Sequence, residues 1–203
     1  MVEAEHPEIT PQFQLEHEVI CRLVEPNSKV LDLGCGNGML LQLLKARKGV
    51  EGTGVEVSEE HVYESIRKGL TVFHGDVDEG LADFPDKSFD YVLLLETLQE
   101  VHKPQLVLEE MLRVGKKGII SFPNFAHWLS RIQLFFGGHA PITHSLPHAW
   151  YDSPNVQYMT IKDFLRFCEW KNYTIEKAVY LNSWREVSFM PNLRAEVAIF
   201  LIS

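Results

Sequence analysis

The most informative segment of this chain is Val30-Leu31-Asp32-Leu33-Gly34-Cys35-Gly36-Asn37-Gly38. Its apolar start is typical of a buried strand. Its three alternate glycines are typical of a tight turn, because glycine adopts positive φ and lets a ligand approach the backbone. The apolar run Met39–Leu44 then predicts a helix that begins at this turn. A helix N-terminus that opens onto a glycine turn is a common nucleotide site. The alternative interpretation is an ordinary strand-to-helix turn with glycines for packing.

The spacing of the glycines narrows the choice of ligand. The dinucleotide fingerprint G-x-G-x-x-G needs a third glycine where this chain has Met39, and no Lys-Ser or Lys-Thr follows as in a phosphate loop. The remaining G-x-G-x-G after an acidic strand residue resembles motif I of class I S-adenosylmethionine-dependent methyltransferases. This resemblance implies S-adenosylmethionine, or its demethylated product S-adenosylhomocysteine, as the cofactor.

Further acidic residues follow the next predicted strands. Glu56, at the tip of the second strand, is placed to accept hydrogen bonds from both ribose hydroxyls. Asp76, followed by Val77, ends the third strand, where methyltransferases hold a carboxylate near the adenine amino group. Glu96 follows the fourth strand, and ligands of such sheets bind beyond the strand ends. The predicted cofactor-binding residues are Asp32, Gly34, Gly36, Gly38, Glu56, Asp76, Val77 and Glu96.

The alternation of strands and helices predicts an α/β fold, a single Rossmann-like class I methyltransferase domain. We expect a mostly parallel seven-stranded sheet with a C-terminal antiparallel hairpin, and a helical or loop insertion after strand five. The predicted strands cover residues 29–33, 52–57, 70–74, 89–95, 118–122, 173–181 and 194–202. The predicted helices cover residues 13–24, 38–47, 59–68, 104–114, 125–136 and 160–171. We assign residues 1–28 to an N-terminal arm and helix, 29–203 to the methyltransferase-like domain, and 123–159 to its insertion or lid.

Composition restricts the partners. The 203 residues hold 19 Lys and Arg against 28 Asp and Glu, a formal net charge of −9, which disfavours binding to a phosphate backbone. We therefore expect no nucleic-acid partner. The sequence shows no signal-peptide pattern and no apolar stretch of membrane-spanning length, so we expect no membrane association. The three cysteines are scattered, which favours a reducing cytoplasm.

The insertion supplies the candidates for catalysis. Methyl transfer is a direct displacement, so positioning alone supplies much of the rate and a general base is optional. His144, His148 and Tyr151 are the candidates for taking a proton, and packing within the lid is the alternative role for each. His139, His144 and His148 lack a Cys or carboxylate partner in metal-ligand spacing, so we expect no metal. Phe135 and Phe136 are predicted to pack in the core or lid.

Several stretches beyond the glycine turn resemble the methionine biosynthesis protein MetW family. Besides residues 30–38, 89–92 and 97–99, they are Glu110–Gly115, Ser121–Phe125, Trp150–Asn155 and Thr160–Phe164. The resemblance covers about residues 18–181. It implies a bacterial cytoplasmic protein of methyltransferase fold that acts with homoserine O-acyltransferase as an accessory or regulatory subunit.

Two functions therefore stay open: an S-adenosylmethionine-binding accessory subunit, and an active S-adenosylmethionine-dependent methyltransferase that acts on a small molecule. An accessory subunit should expose Trp128 and Trp150 as a docking surface. An enzyme should instead bury them around a pocket.

Overall fold

The computed structural model describes residues 11–203. Its strands are β1 (Lys29–Leu33), β2 (Glu51–Glu56), β3 (Thr71–His74), β4 (Phe89–Leu95), β5 (Gly115–Pro123), β6 (Ile175–Asn182), β7 (Arg185–Glu186) and β8 (Val197–Ile202). Its α-helices are α1 (Pro11–Leu23), α2 (Met39–Lys48), α3 (Glu59–Arg67), α4 (Pro104–Val114), α5 (Trp128–Ile132), α6 (Ile161–Lys171) and α7 (Pro191–Arg194). A 3₁₀ turn covers Val77–Glu79 and a π-helical turn covers Gln133–Gly137.

All eight strands belong to one sheet in the order β3-β2-β1-β4-β5-β8-β6-β7. The first five strands run parallel, and β8 pairs antiparallel with both β5 and β6. The predicted α/β fold, a mostly parallel sheet with a C-terminal antiparallel hairpin, is confirmed. The sheet has one strand more than the predicted seven, because Arg185–Glu186 pairs with the end of β6. Two residues are too few to show a periodic sequence pattern.

The central strands supply hydrophobic cores on both faces of the sheet. Val30, Leu93 and Ile119 pack with residues of α1 and α2 on one face. Leu94 and Phe122 pack with residues of α4 and α6 on the other. Because both faces are covered, these strands are nearly uniformly apolar, as in other parallel sheets. The polar residues at the carboxyl ends of the strands interrupt this pattern.

The structure differs from the predicted elements mainly late in the chain. The predicted helix over residues 125–136 is the short α5 followed by the π-helical turn, and the last strand begins at Val197 because Pro191–Arg194 forms a helical turn. The N-terminal arm before residue 11 lies outside the described residues. The division at residue 28 stays a prediction. Within residues 11–203 we find no helix with the length and apolar character needed to cross a bilayer.

Candidate functional site

The glycine turn joins β1 to α2 at the carboxyl edge of the sheet. A Cβ at Gly34 would lie 2.6 Å from Thr97 Oγ1, and a Cβ at Gly38 would lie 2.3 Å from Leu70 Cδ1. Packing therefore explains these two glycines. Gly36 differs, because a Cβ there would meet no atom within 4 Å, and its φ of +52° suits glycine. The middle of the turn is open, with room for a ligand against the backbone.

Glu56 ends β2 and extends its side chain to the glycine turn. Its Oε2 accepts the N–H of Gly36 at 2.8 Å, and its Oε1 accepts the N–H of Ser58 at 2.9 Å. The residue is only 7% exposed. A carboxylate has about four acceptor positions, so these two bonds leave capacity for ligand hydroxyls. The structure thus brings Glu56 and the open glycine into contact.

Asp32 lies in β1, close to Glu56. It is buried, and burial together with the charge of Glu56 raises the pKa of its carboxyl to about 7. A negative charge at Asp32 is therefore costly.

Asp76 and Val77 follow β3 at the same edge of the sheet. Asp76 is exposed, and its Oδ1 accepts the N–H of Asp78 at 2.9 Å, which caps the 3₁₀ turn. Val77 is half-buried against the core on the α4 face. Asp78, which sequence analysis did not single out, accepts the N–H groups of His102 and Lys103 at 2.8 and 2.7 Å. It therefore ties the turn to the start of α4.

Glu96 opens the loop that follows β4. Its backbone is in the left-handed region with φ +47°, and its N–H donates to the backbone oxygen and the hydroxyl of Ser121 at 3.1 and 3.0 Å. Partial desolvation raises the pKa of the Glu96 carboxyl, and the charge of Glu100 adds to the effect. A Cβ at Gly34 would meet the hydroxyl of Thr97 in the same loop, so Glu96 lies beside the glycine turn.

Glu16, on α1, is a residue of this site that sequence analysis missed. It is 3% exposed, and its carboxyl lies in hydrogen-bonding contact with the Ser121 hydroxyl and close to Glu96. Burial and the charge of Glu96 raise the pKa of the Glu16 carboxyl. Its Oε1 has no hydrogen-bond partner in the described part of the chain. The available sequence signal was its position one helical turn before Val19 and Ile20, on the apolar side of α1.

The insertion brings two of the three catalytic candidates toward the acidic loop. Burial raises the pKa of Glu100, whereas the nearby His148 lowers it. Burial and the charge of Glu100 raise the pKa of Glu96, whereas the nearby His144 lowers it. Tyr151 is not brought to this loop; it is 77% exposed, and its ring contacts Trp150 at a centroid distance of 5.7 Å.

The base of the insertion is closed by backbone hydrogen bonds. The N–H of Phe125 donates to the oxygen of Met159 at 3.1 Å. The N–H groups of Val156 and Gln157 both donate to the oxygen of Gln99 at 2.9 Å. The insertion is therefore attached to the same loop that carries Glu96 and Glu100.

A cavity of about 370 Å³ lies within the insertion. Its wall is mainly apolar and includes Leu134, Pro141 and Trp150, with His139 and His148 among its polar groups. In the described residues, no three His, Cys, Asp or Glu side chains are arranged to hold a metal ion.

Cys35, inside the glycine turn, has a packing role. A Cβ at Gly54 of β2 would lie 2.4 Å from its sulfur, so the thiol fills the space that this glycine leaves. Burial raises the pKa of the Cys35 thiol to about 12, which keeps it protonated and unreactive at neutral pH.

Comparison with known proteins identifies the family. Residues 14–202 match the family model described as "Methionine biosynthesis protein MetW". The chain belongs to the MetW family. The bifunctional methionine biosynthesis protein MetXA/MetW of Rhodopirellula baltica is 35% identical over 209 aligned positions, which cover 96% of this chain and 34% of the relative. The chain thus spans about a third of that relative's length.

Other relatives are methyltransferases. The ubiquinone biosynthesis O-methyltransferase of Methylococcus capsulatus is 37% identical over 98 residues, which cover 44% of this chain and 40% of the relative. The crystal structure of a SAM dependent methyltransferase from Aquifex aeolicus superposes with a TM-score of 0.68 at 18% identity, covering 98% of this chain and 93% of that one. This last similarity concerns the fold alone.

Two stretches that carry the MetW resemblance have structural roles. In the first, the Arg113 guanidinium pairs with Glu110 at 2.7 Å and Asp86 at 2.6 Å. In the second, the fully buried Asn124 donates to the oxygen of Ala195 at 2.8 Å and accepts the N–H of Ile161 at 3.4 Å. These residues join distant segments, and neither lies among the acidic groups of the crevice.

Proposed function

We propose that this chain binds S-adenosylmethionine in the crevice at the carboxyl edge of the sheet and acts in the cytoplasm as an accessory subunit of homoserine O-acyltransferase. One observation carries the binding half: Glu56 is buried against an open glycine turn and retains free acceptor positions. Under this proposal, Glu56 holds the ribose, Gly34–Gly38 lie along the amino-acid tail, and Asp76 with Val77 faces the adenine.

Membership of the MetW family supports homoserine O-acyltransferase as the partner. The MetW resemblance implies a link to homoserine O-acyltransferase, and the Rhodopirellula baltica relative carries MetXA and MetW in one chain. Fusion keeps two modules at a high effective concentration, which favours modules that work together. A separate MetW chain would need a surface that replaces this covalent link.

Exposed aromatic side chains of the insertion supply a candidate for that surface. Phe135 and Phe136 are 81% and 79% exposed and contact each other at 4.9 Å between centroids. Trp150 is 77% exposed and Trp128 is 47% exposed. Exposed aromatic groups are costly in water and are enriched at protein interfaces. Their exposure supports the accessory role.

Two measurements test the proposal. Calorimetric titration of S-adenosylmethionine into the protein should give saturable binding. Acyltransferase purified with this chain should co-elute with it, and its acylation rate should change when S-adenosylmethionine is added. The accessory role would be contradicted if the two proteins elute separately and if S-adenosylmethionine changes neither the acylation rate nor the affinity of the two proteins for each other.

The second candidate function is methyl transfer to a small molecule. The cavity in the insertion favours it, because an acceptor needs such a space, and the relatives include O-methyltransferases. In that case His144 or His148 takes the acceptor's proton. Turnover of S-adenosylmethionine to S-adenosylhomocysteine with a candidate acceptor would favour this function over the accessory one.

A further inference from the structure

Five carboxyl groups gather around the crevice, and we call them the acidic wall: Glu16, Asp32, Glu56, Glu96 and Glu100. Burial raises the pKa of four of them, and a neighbouring carboxyl of the wall adds to the effect: Glu96 acts on Glu16, Glu56 on Asp32 and on Glu100, and Glu100 on Glu96. Within residues 11–203, none of the five forms an ion pair with a lysine or an arginine. His61 is the basic group beside Glu56, at 3.9 Å.

The environment of the Glu16 side chain indicates that the crevice binds a cationic ligand. A buried carboxyl oxygen without a hydrogen-bond partner, such as its Oε1, is costly for the folded protein. Charge compensation within the protein would place a lysine or arginine next to it, yet its neighbours are the Ser121 hydroxyl and another carboxyl, Glu96. A positive charge on a ligand in the crevice would compensate this arrangement.

We propose that the acidic wall makes the crevice select the positively charged methylsulfonium of S-adenosylmethionine over the neutral thioether of S-adenosylhomocysteine. This inference rests on the function proposed above. Both molecules carry the same adenosine and amino-acid tail and differ by one methyl group and one charge. A site with this preference reports the supply of methyl donor, which suits a regulatory subunit of methionine synthesis.

Calorimetry on the unaltered protein tests the selectivity directly. S-adenosylmethionine should bind about 10- to 100-fold more tightly than S-adenosylhomocysteine, the range expected for one charge several ångströms from carboxylates at a partly exposed site. Sinefungin, which carries an ammonium in place of the methylsulfonium, should bind within a few-fold of S-adenosylmethionine. This comparison requires no variant.

Isosteric variants test whether the acidic wall causes the preference for S-adenosylmethionine. Glu16→Gln and Glu96→Gln should each reduce the ratio of S-adenosylmethionine affinity to S-adenosylhomocysteine affinity toward one. Glu18→Gln is the matched control, because it removes one negative charge from the exposed side of α1 and should keep the ratio of the unaltered protein. Thermal unfolding of each variant checks that it is folded.

The outcomes separate the two proposals. Equal binding of the two ligands, or tighter binding of S-adenosylhomocysteine, overturns the selectivity and leaves the proposed function intact. If Glu18→Gln reduces the affinity ratio as much as Glu16→Gln and Glu96→Gln do, the proposed selectivity is also overturned. The effect would then arise from the net charge of the chain and not from the acidic wall. Failure of all three ligands to bind overturns the proposed function itself.

Discussion

Glu56 is the residue with the clearest link between local structure and proposed function. Two backbone N–H groups, from Gly36 and Ser58, hold its carboxylate in place without a ligand. Binding to such a preorganised group loses little side-chain entropy. The same bonds connect β2 to the glycine turn, so Glu56 shapes the turn as well as facing it.

Replacing Glu56 should therefore weaken ligand binding. Glu56→Ala removes two proposed ribose hydrogen bonds and should cost roughly 2–3 kcal/mol of S-adenosylmethionine affinity. Titration calorimetry measures the loss. Glu60→Ala, on the exposed first turn of α3, is the control and should retain the original affinity. An unchanged affinity in Glu56→Ala would remove the ribose role.

Asp32 should make stability depend on pH. Its raised pKa of about 7 means that the folded protein keeps a proton that the unfolded chain releases near pH 4, so the free energy of unfolding falls as pH rises from about 4 through 7. Asp32→Asn should gain on the order of 2–4 kcal/mol relative to the unaltered protein between pH 5 and pH 8. Urea denaturation across this range measures the difference. Parallel pH profiles would contradict the prediction.

Among the elements, the insertion departs most from its predicted form. The prediction that Phe135 and Phe136 pack in the core or lid was wrong, since both are largely exposed. The reason is local: a periodic pattern assumes 3.6 residues per turn, whereas Gln133–Gly137 forms a π-helical turn that rotates the side chains to another face. The exposed pair lies on this turn.

This exposed pair gives a test of partner binding. The double variant Phe135→Ser/Phe136→Ser should weaken binding to the acyltransferase by at least about tenfold, because aromatic residues supply much of the energy of an interface. Binding of S-adenosylmethionine should not change. Trp184→Ser removes a similarly exposed aromatic, 76% accessible, between β6 and β7, and serves as the control. Equal partner affinity of all three proteins would exclude the insertion as the docking surface.

At the scale of the whole molecule, Asn124 connects three parts of the chain. It directly follows β5, accepts the N–H groups of Ala126 and Ile161, and donates to the oxygen of Ala195. The insertion, α6 and the segment that leads into the last strand thus meet at one buried side chain. The asparagine in this MetW-like stretch has a structural explanation that needs no catalytic role.

Asn124→Ala should lower stability throughout the molecule. Removal of the amide leaves buried N–H and C=O groups without partners, with an expected loss of about 2–4 kcal/mol in the free energy of unfolding. Urea denaturation measures it. Gln105→Ala, at an exposed position of α4, should stay within about 0.5 kcal/mol of the unaltered protein. A comparable, small effect of both changes would show that the Asn124 bonds are replaceable.

Sequence patterns were sufficient to predict several local features: the glycine turn, the bounds of β1, β4 and α4, and the Thr160–Asp163 capping box that begins α6. These follow from apolar periodicity, glycine spacing and capping, which act over a few neighbouring residues. The acidic residues at the strand ends were also visible, because parallel strands bring their carboxyl ends to one edge.

Which polar groups meet at this edge depends on the tertiary packing. Glu16 reaches Ser121 and Glu96 because α1 packs across the sheet, and no local pattern encodes that distance. The same is true of the exposed face of the insertion and of the hydrogen bonds at Asn124. Contacts between residues far apart in the chain depend on the packing of whole elements, whereas the sequence pattern of each element reports only which of its faces is apolar.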